Sequence, residues 1–277
     1  MILAIQRAPR FSPNSEKKDA EILANVCQLL LAEGFQTKTV CEEDAYGWEK
    51  QDWECVLTMG RLPEVLRNLH EMQSRGTTVI NSSQSIALCC NRHQLTEKLK
   101  EQDIPIPPCH GHNGYWLKRG DGVAQSRRDV RFAADETEKE RVWKEMQDEG
   151  ITDIVTQAHI TGDLVKFYGV RNSDFFSVFY PSDDGMSKFG DEQRNGKAHH
   201  YPYDENLLHQ TAERAAQATG TDIYGGDAVI KADGTFFIID FNDWPSFSRC
   251  RQQATEAIVS MVAQRIRRKT EHTTSNY

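Results

Sequence analysis

Apolar and polar positions alternate along the first eighty or so residues in a way that predicts strands and helices in turn. A short apolar run at residues 2–5 is followed by a polar loop, 7–14, with two prolines. Ser15 or Asn14 can cap the next helix, where Leu23, Val26, Cys27, Leu30 and Leu31 recur at helical spacing until Gly34. Strand-forming runs at 36–40, 55–58 and 77–80 enclose a helical segment at 63–74. Strands alternating with helices predict a parallel, doubly wound sheet, here ending near Asn81.

Beyond it the pattern changes. A helical stretch at 85–101 leads into Ile104-Pro105-Ile106-Pro107-Pro108, which cannot be helical and predicts an extended connector. A strand at 115–118, a polar loop with Gly120 and Gly122, and a charged helix at 136–147 follow. Strands are predicted at 154–157, 164–170 and 175–180, then a long polar segment at 181–202 of the kind that often carries function. A helix at 205–219, a hairpin at 227–241, a helix at 252–268 and a frayed tail at 270–277 complete the chain.

Composition narrows the function classes. With 277 residues, 38% apolar and 27% charged, the chain fits an ordinary globular protein of about two domains. A net charge of −8 argues against a protein that coats nucleic acid. No apolar run approaches a bilayer span, and the first ten residues lack the apolar core of a signal peptide. Seven cysteines without a C-x-x-C pair point to reduced thiols in a cytoplasm. Within this acidic chain Lys118, Arg119, Arg127, Arg128 and Arg131 cluster, as a solvated face or as a patch for an anion.

The hairpin carries the most specific chemistry. Asp233-Gly234 is a strong turn signal between two strand-forming runs. A two-residue turn there places Asp227 opposite Asp240, with Asn242 on the same face. Two opposed carboxylates repel unless a cation lies between them, and with the carboxamide they form an all-oxygen cluster suited to Mg²⁺. A bulge or a longer turn would shift that register, and a solvated face is the alternative.

These residues resemble the ATP-grasp superfamily, which includes D-alanine–D-alanine ligase, glutathione synthetase and the ribosomal-protein glutamate ligases. The match rests on Asp227 and on Asp240-Phe241-Asn242-Asp243-Trp244-Pro245, within a segment from Gly225 to Phe247, although the family often has Glu at the position of Asp240. A second match, Val155 to Tyr168, implies that the backbone at Ala158 and Ile160 meets the adenine. Asp163 would then lie near the ribose and Lys166 against phosphates or substrate. Gln157 stands where the family commonly has an acidic residue. Lys118 and the loop 119–126 match a phosphate-contacting strand and loop, and Arg92 a second phosphate contact. The matches run in the family's order from about Ser82 to Phe247.

The resemblance implies an ATP-grasp fold: an N-terminal doubly wound α/β domain, 1–84, and two α+β subdomains, 85–157 and 158–277, enclosing the nucleotide. It implies an ATP- and Mg²⁺-dependent ligase that joins a small carboxylate to an amine or thiol through an acyl phosphate; a homodimer is compatible with it. Metal ligands would be Asp227, Asp240 and Asn242. Nucleotide contacts would be Arg92, Lys118, Gln157, Ala158, Ile160 and Asp163, with Lys166 and Arg249 catalytic. For the acceptor the sequence offers 7–15, 59–61, Lys188, Arg194, Lys197, Arg249 and Arg251. His110, His112, His199 and His200 lack the companions a second metal needs. An inositol-polyphosphate-kinase-like activity, suggested by Lys166-Phe167-Tyr168, and a catalytically silent nucleotide-binding module are the alternatives.

Overall fold

The computed structural model describes all residues except 14, 45, 46, 123, 125, 185–193 and 275–277. The first unit is a four-stranded parallel sheet in the order β2-β1-β3-β4. Its strands are β1 (Ile2–Gln6), β2 (Thr37–Cys41), β3 (Cys55–Thr58) and β4 (Thr78–Ile80). Side chains of β1 alternate between two cores, as the two-residue period requires. Ile2 and Ala4 pack toward α1 (Glu16–Ala32), while Leu3 and Ile5 pack toward α2 (Pro63–Ser74). The chain leaves β1 for β2 on one side and later returns to β3 on the other. The crevice between the carboxyl ends of β1 and β3 is therefore the switch point of the sheet, where such folds bind ligands.

The expected single helix at 85–101 is two. Asn91 ends α3 (Ser83–Cys90) and caps α4 (Arg92–Lys100), accepting a hydrogen bond from Gln94 N. The connector after α4 ties two antiparallel sheets together: Pro105 O accepts from Ile238 N, and Pro108 O from Ala158 N.

One of these sheets has the order β6-β5-β7, from β5 (Tyr115–Arg119), β6 (Val130–Ala133) and β7 (Ile154–Ala158). It is backed by α5 (Glu136–Asp148) and has a small core of its own. Strand β6 falls where the sequence predicts only a polar loop. The other sheet has the order β11-β10-β8-β9, from β8 (Asp163–Val170), β9 (Phe176–Phe179), β10 (Ile223–Ile230) and β11 (Phe236–Asp243). Helix α6 (Glu205–Thr219) covers one face of it.

The last helix, α7 (Arg251–Thr274), is longer than expected at both ends; residues 270–274, expected as a frayed tail, continue it. It packs with α1, so residues of the third sheet and the first share one core through Tyr168, Val170, Ile223 and Trp244. No helix of the described residues is long and apolar enough to cross a membrane.

Candidate active site

The turn between β10 and β11 differs from the sequence expectation, yet the expected pair of carboxylates forms. Lys231 N donates to Thr235 O, leaving a three-residue loop with Gly234 at φ +81. The pairs Ile230–Phe236 and Ala228–Ile238 are accordingly one residue out of step. An irregularity between Asp227 and Ala228 restores the step and sets Asp227 opposite Asp240. The longer turn and the bulge cancel. Ile239 is the extra residue at the bulge, and its carbonyl accepts from Lys118 Nζ at 2.9 Å.

Asn242 donates from Nδ2 to Asp240 Oδ2 at 3.0 Å, so the two side chains share a face. On the other side of Asp227, β8 places Lys166 directly opposite. Its ammonium reaches both carboxylate oxygens, at 2.8 and 2.9 Å. Lys166, Asp227 and Asp240 thus form a row across three strands.

Burial governs the charges at this point. It brings the Lys118 ammonium down to about 8, with Asp240 opposing the shift and Arg92 adding to it. Partial burial alone would raise the Asp240 carboxyl, but Arg92, Lys118 and the Asn242 hydrogen bond carry it below its ordinary value. Arg92 also braces the loop after β5, donating from Nη1 to Arg119 O and Gly122 O at 2.7 and 2.9 Å. Val123 and Gln125 of that loop lie outside the described residues.

Two carboxylates and a carboxamide suit a hard divalent cation that draws its other oxygens from phosphate and water. Asp240 stays ionised among cations, and Lys166 shows that a positive charge is accommodated against Asp227. Among the described residues no three His, Cys, Asp or Glu gather, so nothing matches a nitrogen or sulfur metal site. Of the histidines noted in the sequence, His199 stacks on Tyr201, and His200 pairs with Asp183.

The row of acidic and basic groups lines a cleft of about 600 Å³ between the two antiparallel sheets, open to the first unit. Gln157, Ala158 and Ile160 line its other wall. The Ala158 amide is spent on Pro108, and His159 N pairs with Gly114 O. By the alternation of an antiparallel ladder, the Ala158 carbonyl then points away from β5 and is a free-edge acceptor. Trp116 Nε1 donates to His159 Nδ1 at 3.1 Å. Indole nitrogen cannot accept, so His159 is neutral with its proton on Nε2. Burial and nearby Arg194 lower its pKa further. Arg194 lies over the Phe132 ring at 3.7 Å and lines the cleft.

Several expected residues do not come to the cleft. The Asp163 carboxylate is buried and accepts from His199 N and Tyr201 N at 2.7 and 2.9 Å. It anchors residues 199–201 and does not line the cleft. Of the basic cluster only Lys118 lines the cleft. Arg119 pairs with Asp129, Arg131 with Glu145 and Glu149, and Arg127 and Arg128 are exposed. Arg251 pairs with Glu21 of α1 and faces away, whereas Arg249 lines the cleft over the Phe179 ring at 4.5 Å. Lys188 lies outside the described residues.

The cleft also holds a buried ion cluster that no sequence pattern displayed. Arg7, after β1, donates from Nη1 to Asp19 and from Nη2 to Asp243, both at 3.3 Å. Arg61, after β3, pairs with Asp243 at 2.5 Å. Glu42 fixes both loops by accepting from Ala8 N, Arg61 N and Leu62 N. The only available signal was positional, since residues 7–15 and 59–61 follow strands of a doubly wound sheet.

The sequence matches no family model and no curated protein. Solved structures do match it. A RimK-domain ATP-grasp protein from Sphaerobacter thermophilus is 19% identical, with 95% of this chain and 100% of that one covered at a TM-score of 0.65. D-alanyl-alanine synthetase A from Vibrio cholerae is 12% identical, with 96% and 98% covered at 0.67. D-alanine–D-alanine ligase from Bacillus anthracis is 11% identical, with 98% and 99% covered at 0.65. The chain has the ATP-grasp fold.

Proposed function

We propose that the protein is an ATP-dependent ligase that uses Mg²⁺ to activate a small carboxylate as an acyl phosphate and passes it to an amine or thiol. One observation carries this reading. Asp227, Asp240 and Asn242 share a face, with Lys166 and Lys118 against them, in the cleft of a fold that the solved structures above share.

In this reading Asp227, Asp240 and Asn242 hold the metal, which when bound would offset charge on the nucleotide's phosphates. Lys118, held at the bulge carbonyl, offers its ammonium to the same phosphates, and Arg92 keeps the adjoining loop in place. A metal held there would compete with Lys166 for Asp227, leaving the Lys166 ammonium for the transferred group. The Ala158 carbonyl and Ile160 backbone face the base. The protein's part is positioning and charge stabilisation, which is what phosphoryl transfer asks of an enzyme. Arg127, Arg128 and Arg131 are not among the residues that line the cleft, so the basic loop lends no support to a kinase acting on a heavily phosphorylated acceptor.

ADP release should be screened against amino acids, small peptides, other carboxylates and polyols, with phosphate measured in parallel and hydroxylamine present. A ligase releases phosphate in step with ADP and yields a hydroxamate. ADP without phosphate, retained on a polyol product, would establish a kinase instead.

A further inference from the structure

Arg7 and Arg61 sit side by side at the switch point of the parallel sheet, but they are differently occupied. Arg7 is saturated. Its Nε donates to Met59 O, its Nη1 to Asp19, and its Nη2 to Asp243 and to Trp244 O. Arg61 makes its side-chain hydrogen bonds from Nη2 alone, to Asp243. Its Nε is buried with no partner, although only 7% of the side chain is exposed. A buried guanidinium with donors unspent is costly, and when it lines a cleft it is a ready anion site.

The charges of the cleft divide accordingly. Around the proposed nucleotide end stand Arg92, Lys118, Lys166 and Arg194 against Asp227 and Asp240. Around the switch point stand Arg7, Lys18 and Arg61 against Asp19 and Asp243. Phosphates would answer the first excess of positive charge, but they do not reach the second. Asp243 lies three residues beyond Asp240 on β11, about 10 Å along the strand. An acceptor with one carboxylate would spend it beside the phosphates and bring nothing to the Arg61 donors that Asp243 does not engage.

We propose that Arg61 is the anion-binding residue of an acceptor subsite, and that the acceptor is a small carboxylic acid carrying a second anionic group, carboxylate or phosphate, a few bonds from the first. This inference rests on the ligase reading for the role of the first carboxylate. Arg7 and Glu42 are positioning residues, which hold Arg61 and its loop at the crevice.

The test is calorimetric titration of the intact protein, with Mg²⁺ and a non-hydrolysable ATP analogue, using matched probes. Aspartate, glutarate and O-phosphoserine carry two anionic groups; alanine, butyrate and serine carry one. The two-anion probes should bind at least tenfold more tightly than their one-anion partners. Arg61→Met should weaken them ten- to a hundredfold, the range for losing a charge-assisted hydrogen bond, and leave analogue affinity within about twofold. Because Arg61→Met leaves Asp243 buried with one partner fewer, Arg61→Lys serves where the first variant does not fold. The lysine should bind two-anion probes with intermediate affinity. Comparison of aspartate with O-phosphoserine tells which anion is preferred. Equal binding of both sets, binding of neither, or indifference to Arg61 overturns the proposal. Arg61-dependent binding without any affinity for the analogue would instead leave the anion site standing and remove the ligase reading.

Discussion

Lys118 is the residue whose surroundings say most about the cleft. Its ammonium is buried against a bulge carbonyl and has a folded pKa near 8, below the ordinary 10.5. The sign follows. Below about pH 8 both folded and unfolded chains hold the proton, and the cost of burial is fully present. Between about 8 and 10.5 the folded group is neutral while the unfolded one is not, so this group raises stability as pH rises. Nucleotide binding should do the reverse, because phosphates favour the ammonium. ATP should therefore bind more weakly above pH 8, with uptake of up to one proton near pH 9. Titration calorimetry in buffers of different ionisation enthalpy reads that uptake, and Lys118→Met should abolish it. Asp227, Asp240 and Asn242 were legible in the sequence because strand periodicity and a turn place them, and Lys118 through the family resemblance. Arg61 and Asp243 as a pair were not, since they are 182 residues apart and only the packing of two units joins them. The burial of Asp163 under the His199 and Tyr201 amides was not legible either, because a carboxylate beside a strand end looks the same in sequence whether it faces a ligand or backbone amides.

At the scale of elements, the hairpin of β10 and β11 does the positioning. Its register depends on a turn and a bulge that compensate each other, and only the turn left a trace in the sequence, as Asp233-Gly234. Asp233 accepts from Thr235 N, which selects the three-residue form over the two-residue one. Gly226 lies just before the bulge, where a Cβ would strike Asp240 O and the Phe167 ring. Gly226→Ala should lower stability by about 1–3 kcal/mol through overpacking, read as a lower urea midpoint at unchanged slope. It should also displace Asp240 and weaken Mg²⁺–ATP binding. Strand β6 escaped the sequence because its four residues, Val130 to Ala133, include a charged one and follow a loop without periodicity. The break at Asn91 escaped because helical spacing continues across it, although the cap it provides brings Arg92 to the loop after β5.

For the whole molecule, the cleft exists because the first sheet and the third are fastened together. Asn81 accepts from Asp222 N and Ile223 N, and donates to Ile223 O, all at 2.8 Å and buried. Asn81→Ala leaves those groups without a partner and should cost about 1–3 kcal/mol. Both units should still unfold in one transition, since α7 and α1 share a core. Fluorescence of Trp48 and Trp53, in the first unit, should fall together with far-ultraviolet dichroism. The parallel unit and the order of strands and helices were open to the sequence, whereas the clasp between units was not, because hydrogen bonds over such separations carry no local pattern. The proposed activity depends on the cation site that this assembly presents. The most direct test is ADP formation from Mg²⁺–ATP, with an acceptor that the wild type uses, by Asp240→Ala. A loss of at least about a hundredfold is expected, with dichroism and melting showing an intact fold. Undiminished ADP formation by the folded variant would contradict that dependence.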